Sequence, residues 1–252
     1  MMNIFKCAIF FVVMLPILTF ADDYSFYKKN ANDRYVELNN FRVYFGANDD
    51  SSNVYILDAS GKVNKVCKIN NWVKSSQPMM NVSFNVTNDR KAILIYGINS
   101  YLLSNELLEC SNGSVSLHRV SDGDDTDTVV DINFGKHLYL SVRVDDAQTQ
   151  MYKAKVVEFN GGENLIDYGV FFLPIKKIFN GKISLDGKYV YPDSLDCFED
   201  SSSGVWDIKE KKKVVFTSDT NSDDEITDKC QKLFNGEATL KDLGGKLVLP
   251  DK

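Results

Sequence analysis

The chain has 252 residues, with 29 Lys and Arg against 35 Asp and Glu, a net charge of −6 and 44% apolar residues. That is enough apolar material for one sizeable core. An acidic chain with no basic stripe is a poor match for nucleic acid or an anionic membrane, and it favours a basic protein as partner.

The first 21 residues read as a leader. Lys6 gives a positive start, residues 8–18 are an apolar run, and Thr19 and Ala21 place small residues three and one positions before a cleavage point ahead of Asp22. The run is shorter than the roughly 20 residues a membrane span needs. A signal peptide over 1–21 and a single mature domain over 22–252 are therefore expected, exported to the periplasm or beyond the cell. Removal of the leader takes away one cation and no anion, so the balance moves from −6 to −7. It also leaves Cys67, Cys110, Cys197 and Cys230, an even number that suits two disulfides in an oxidising compartment. Proximity in sequence favours Cys67–Cys110 and Cys197–Cys230, although four cysteines allow three pairings.

After a polar, aromatic arm over 22–33, short alternating strands are predicted at 35–38, 41–45, 53–57 and 63–69, separated by turns rich in Asn, Asp, Ser and Gly. A hairpin follows over 82–96, then strands at 101–109 and 114–120. A third group covers 129–144, 151–159 and 165–172, and a fourth covers 182–191, 204–208 and 213–217. Residues 223–234 are the one helical candidate, and 237–249 read as a final hairpin without outer strands.

Several of these hairpins share one phrase: an apolar strand, a turn of Gly, Asp or Asn with a lysine, and a second alternating strand. With Lys91, Lys136, Lys188 and Lys246 as markers, the spacings are 45, 52 and 58 residues. A period of that size marks a repeated sheet-forming unit. The expected fold is all-β, a small β-propeller-like array of four to five antiparallel blade units, with a β-sandwich or open repeat sheet as the alternative.

In the fourth unit, residues 184–191 (Ser-Leu-Asp-Gly-Lys-Tyr-Val-Tyr), followed by 204–214 with Trp206 and Asp207, resemble a blade of the WD-repeat or quinoprotein-like β-propellers. The resemblance implies that the Asp-Gly-Lys turn joins two inner strands and that the Trp-Asp pair lies on the third. It covers about 36 residues; the other units match in part, and the Gly-His dipeptide of WD repeats is absent.

Reactive constellations are scarce. His118 and His137 belong to no zinc-binding helix motif, and His137, at the start of a strand, reads as a hydrogen-bonded structural side chain. No Gly-x-Ser-x-Gly elbow is present. Residues 181–188 narrowly miss a phosphate loop, with an extra residue between the glycines and Tyr189 in place of Ser or Thr. Asp122, Asp124, Asp125 and Asp127 resemble half of a calcium loop, but the sixth-position glycine is missing and Asn133 stands where a bidentate Glu belongs, so the run reads as a solvated acidic turn. No cofactor or metal is implied.

Asp223, Asp224 and Glu225 form a second acidic group, and Trp72, in a polar stretch, is a candidate exposed anchor. Trp206 reads as core. The function expected is a non-enzymatic protein-binding module, in concrete form an immunity protein or inhibitor of a periplasmic toxin or enzyme. The acidic groups and Trp72 would contact a basic partner. A carbohydrate- or small-ligand-active propeller enzyme, or a structural subunit of an envelope complex, are the alternatives.

Overall fold

Hairpins built on tight polar turns form most of the molecule. The computed structural model describes residues 35–45, 53–70, 72, 83–96, 98–110, 112–120, 127–146, 151–159, 165–173, 180–200, 204–217 and 221–249. The leader with its cleavage point, and Asp122, Asp124 and Asp125, lie outside these residues. The described residues belong to one compact unit, Asp33–Lys252.

The fold is all-β and propeller-like, with four successive sheets. The first joins β1 (Tyr35–Leu38), β2 (Phe41–Phe45), β3 (Asn53–Leu57) and β4 (Val63–Asn70) as an antiparallel meander. The second orders β5 (Phe84–Val86), β6 (Ala92–Ile95), β7 (Ser100–Leu103) and, after helix α1 (Ser104–Glu109) and β8 (Ser114–Ser116), β9 (His118–Arg119). The third contains β10 (Asp127–Asn133), β11 (Leu138–Asp146), β12 (Met151–Phe159) and β13 (Leu165–Leu173). The fourth contains β14 (Lys182–Ile183), β15 (Tyr189–Tyr191), β16 (Trp206–Asp207), β17 (Lys212–Val215) and β18 (Lys246–Val248); helix α2 (Asp223–Phe234) precedes β18. The hairpins lie in four separate sheets rather than in one continuous sheet.

The leading hairpin of each sheet lies against that of the next. β1 meets β5, β6 meets β10, and β10 and β11 meet β14. A strand covered on both faces has no reason to alternate, and Val129 through Asn133 are buried without interruption. Phe45 of the first sheet stacks on Phe84 of the second with ring centroids 3.7 Å apart. Apolar clusters continue across these junctions, from Leu38, Phe45 and Ile56 to Ile93 and Leu102, and from Leu94 through Ile132 and Leu140 to Ile183 and Trp206. Trp206 is core, as expected.

Three expectations require correction. Residues 104–109 are helical, because Leu107 turns inward and Cys110 must reach Cys67. The strand read at 114–120 divides: Ser114–Ser116 runs parallel to β4 as a fifth strand of the first sheet, and His118–Arg119 closes the second. The final segment is no fifth hairpin. Residues 240–244 are turns, and Lys246 opens β18 on the edge of the fourth sheet rather than marking a hairpin turn. With a glycine pair and no apolar strand before it, this segment lacks a partner of its own and completes the preceding sheet.

Cys67–Cys110 ties β4 to the end of α1, and Cys197–Cys230 ties the β15–β16 connection to α2. Among the described residues no helix is long and apolar enough to cross a membrane. Loops of 43 and 33 residues closed by each bridge stabilise the fold by roughly 3–4 kcal/mol apiece in the chain-entropy account. Peptide mapping without reductant should recover both linkages. Replacing Cys197 and Cys230 by Ser should lower the urea-unfolding free energy by a similar amount, and a loss under about 1 kcal/mol would show the bridge to be energetically idle.

Candidate functional site

The densest polar constellation lies where the second, third and fourth units meet. It begins with a local turn. Thr87, Asp89 and Lys91 in one hairpin, and Ser184, Asp186 and Lys188 in another, occupy equivalent places. In each, the hydroxyl donates to the Asp carboxylate, at 2.8 Å from Thr87 and 2.7 Å from Ser184. Each hydroxyl oxygen accepts the N–H of the residue five positions on, Ala92 or Tyr189. Each carboxylate then accepts the lysine N–H two residues later. The side chains thus replace the backbone bonds that a tight turn leaves open. The third unit uses Asn133, whose Oδ1 accepts from Lys136 N. At the fourth turn, Gly187 has φ +72°, and a β-carbon there would lie 2.7 Å from Lys136 Cγ, so only glycine lets the neighbouring turn approach this closely.

Asp131 on β10 holds these turns together. It is 0% exposed. Oδ1 accepts from Asn88 N at 3.0 Å in the second unit, and Oδ2 accepts from Ile183 N at 2.8 Å in the fourth. Lys182 Nζ stands 3.8 Å from Oδ1 and donates to Val86 O at 2.8 Å. Asn88 Nδ2 donates to Ile183 O at 2.7 Å, Asn133 Nδ2 to Ser184 O at 2.8 Å, and Phe134 N to Asp89 Oδ2 at 3.0 Å.

Burial pushes the Asp131 carboxyl up to about 6, against the opposing pull of Lys182 and the backbone N–H donors. Burial also lowers the Lys182 ammonium, which Asp131 partly counteracts. Tyr191 is raised to about 12, first by burial and then by the Asp131 charge. A perturbed buried pair of this kind often marks a reactive site. Here its bonds go to backbone groups of neighbouring units. The signal in the sequence is a lone carboxylate inside the apolar run Val129, Val130, Ile132, with no acidic neighbour to mark it.

A second constellation is half-exposed. His118 Nε2 lies 3.0 and 3.1 Å from the two Glu106 oxygens, and the Tyr101 ring stacks on the imidazole at 5.2 Å. Burial and then the Glu106 charge raise the Tyr101 phenol. α1 supplies Glu106, so the pair depends on the helix that the strand reading missed. Among the described residues no group of three or more His, Cys, Asp or Glu is placed to hold a metal ion.

The residues singled out in the sequence are dispersed. Asp127 is no solvated rim carboxylate: it is largely covered, 3.8 Å from Arg143 Nε on the adjacent strand β11 and 2.5 Å from Lys155 Nζ on β12 beyond it. Trp72 is only partly exposed and packs on the first apolar cluster. His137 is an exposed turn residue with φ 55°, and its backbone carbonyl, not its ring, accepts Phe159 N. Asp223, Asp224 and Glu225 are exposed in the first turn of α2, where carboxylates suit the helix dipole. Ser222 caps that turn by accepting Glu225 N, and Glu225 pairs with Lys229 at 2.9 Å.

Asp131→Asn should destabilise the protein by roughly 1–3 kcal/mol at neutral pH, because an amide NH2 would face one of the two buried backbone N–H donors that the carboxyl oxygens accept. The pH dependence has a fixed sign. The folded value near 6 lies above the unfolded one near 3.8, so the contribution of Asp131 is full below the unfolded value and declines as pH rises through about 6. The difference between wild type and variant should therefore widen as urea unfolding is moved from neutral to acidic buffer. A difference that stays flat, or shrinks, would contradict this reading of Asp131.

No family model matches the chain, and no curated protein matches it. Among solved structures, the chain is similar to a protein of Bacteroides fragilis described as a putative 6-phosphogluconolactonase, at 11% identity over 71% of this chain and 69% of that one. The TM-score is 0.29, too low for fold or activity to be carried across.

Proposed function

We propose that the chain is an exported, non-enzymatic protein-binding module, acting in the periplasm, whose partner is a basic protein. Its most concrete form is an immunity protein or inhibitor that covers the working surface of a toxin or enzyme. The observation that carries this reading is the allocation of groups at the unit junction. Asp131, Lys182, Asn88 and Asn133, the polar residues best placed for chemistry, bond to backbone atoms of neighbouring units. A sheet array held rigid in this way is suited to presenting turns and helix ends. The two disulfides fit an oxidising compartment.

The acidic contact proposed is the first turn of α2, Asp223, Asp224 and Glu225, together with Asp122, Asp124 and Asp125. Opposite charge speeds encounter more than it slows dissociation. One observation favours an enzyme instead: the His118–Glu106 pair, which could handle a proton.

Affinity capture from the exported fraction of the source organism, at low and high salt, tests the first reading. A specific partner should be retained. Changing Asp122, Asp124, Asp125, Asp223 and Asp224 to Asn should slow its association several-fold with a smaller effect on dissociation. Absence of a partner, combined with turnover of a glycan or ester panel that Glu106→Gln abolishes, would replace this reading with the enzyme.

A further inference from the structure

We infer that the end of the molecule formed by the hairpin turns is a second docking surface, opposite in sign to the chain as a whole, for an acidic protein segment. The turns make one continuous surface. Arg90 Nη2 reaches Glu37 O beside the first turn, Phe134 N donates to Asp89 of the second, and Lys136 lies against Gly187 of the fourth. Ile208 N donates to Lys188 O, which brings the β16–β17 turn alongside.

The surface presents Arg90, Lys91, Lys136, Lys188, Lys209 and Lys211, all exposed. Among the described residues, the carboxylates nearby are Glu37, Asp89, Asp186, Asp207 and Glu210. Of these, Glu37 and Glu210 are exposed, and Glu37 pairs with Arg42 at 3.1 Å. Asp89 and Asp186 hold their own turns through bonds from hydroxyls and N–H groups, and Asp207 accepts Glu210 N. Asp186 also meets Lys188 at 3.4 Å. The anions are thus used inward by the turns and the cations are left outward, in a chain whose net charge is −6.

Two further features mark the surface. Asn39 has φ 56° and Arg90, His137 and Lys211 each have φ 55°, the left-handed conformation that closes these tight turns. Leu185, at the tip of the fourth turn, is 54% exposed and lies two residues from Gly187. An apolar tip among cations suits a protein surface with carboxylates around an apolar patch better than a uniformly charged glycan. This surface is separate from Asp223, Asp224 and Glu225, so the basic-partner contact can fail without it, and it without that contact.

The test uses the full mature protein and a fluorescein-labelled peptide rich in Glu with interspersed Leu, followed by anisotropy, with heparin as the competing polyanion. Wild type should bind the peptide at low salt, with affinity falling as salt shortens the screening length. Lys91→Glu with Lys136→Glu should weaken binding about tenfold or more, while the equal charge change of Lys232→Glu with Lys241→Glu, placed on α2 and beyond, should alter it less than about twofold. If the reversal variant melts early, Lys91→Gln with Lys136→Gln should still show the loss. Equal losses in test and control variants, no peptide binding by wild type, or binding to heparin but not to the peptide would each overturn the inference.

Discussion

A carboxylate removed from water constrains everything around it, and Asp131 is that group in this protein. A buried charge is tolerated only when paired and hydrogen-bonded. The second unit supplies one N–H, the fourth supplies another, and the ammonium of Lys182 stands beside both. Lys182 is itself held by a carbonyl of the second unit. If any one unit shifts along its neighbour, at least one of these groups is left buried without a partner, at a cost of order 1–3 kcal/mol or more. Apolar contacts alone would allow many alignments of similar energy. The ionic centre favours one, which is the registry role best documented for buried polar groups.

The same economy governs the turns. A hairpin turn needs acceptors for its open N–H groups, and Ser, Thr, Asp and Asn side chains supply them. Once Asp89 and Asp186 are committed in this way, their charges face the backbone while the adjacent lysines extend into solvent. A chain that is acidic as a whole therefore displays a basic end. The separation follows from turn chemistry repeated in successive units, and net charge alone gives no indication of it.

The helices and disulfides act at the outer parts of the sheets. α1 is short and is positioned by Cys110, and α2 buries Ile226, Cys230, Leu233 and Phe234 against the fourth sheet, with Phe234 against Tyr191. Each bridge fastens a helix to a strand or loop of the core. The outer layers are then less dependent on the ionic centre, which lies among the leading strands.

Much of the fold was legible in the sequence, because strand alternation, turn residues and cysteine spacing are local signals. The strands of the first sheet, the helix at 223–234 and both cysteine pairings could be read that way, and so could the core position of Trp206. What was misread depended on distant partners. Ser114–Ser116 pairs with β4 beside the Cys67–Cys110 bridge, Lys246 pairs with β17 of an existing sheet, and residues 104–109 coil with Leu107 buried and Cys110 at the helix end bonded to Cys67. The candidate acidic residues were identified by composition, whereas burial is decided by what packs above a residue: Asp127 found Lys155, and Trp72 found a core to cover. Asp131 and Lys182 are 51 residues apart in the chain. Sequence marks Asp131 as a charge within an apolar run, but only the tertiary structure brings Lys182 beside it, because a buried charge can be balanced only by a group that folding places there.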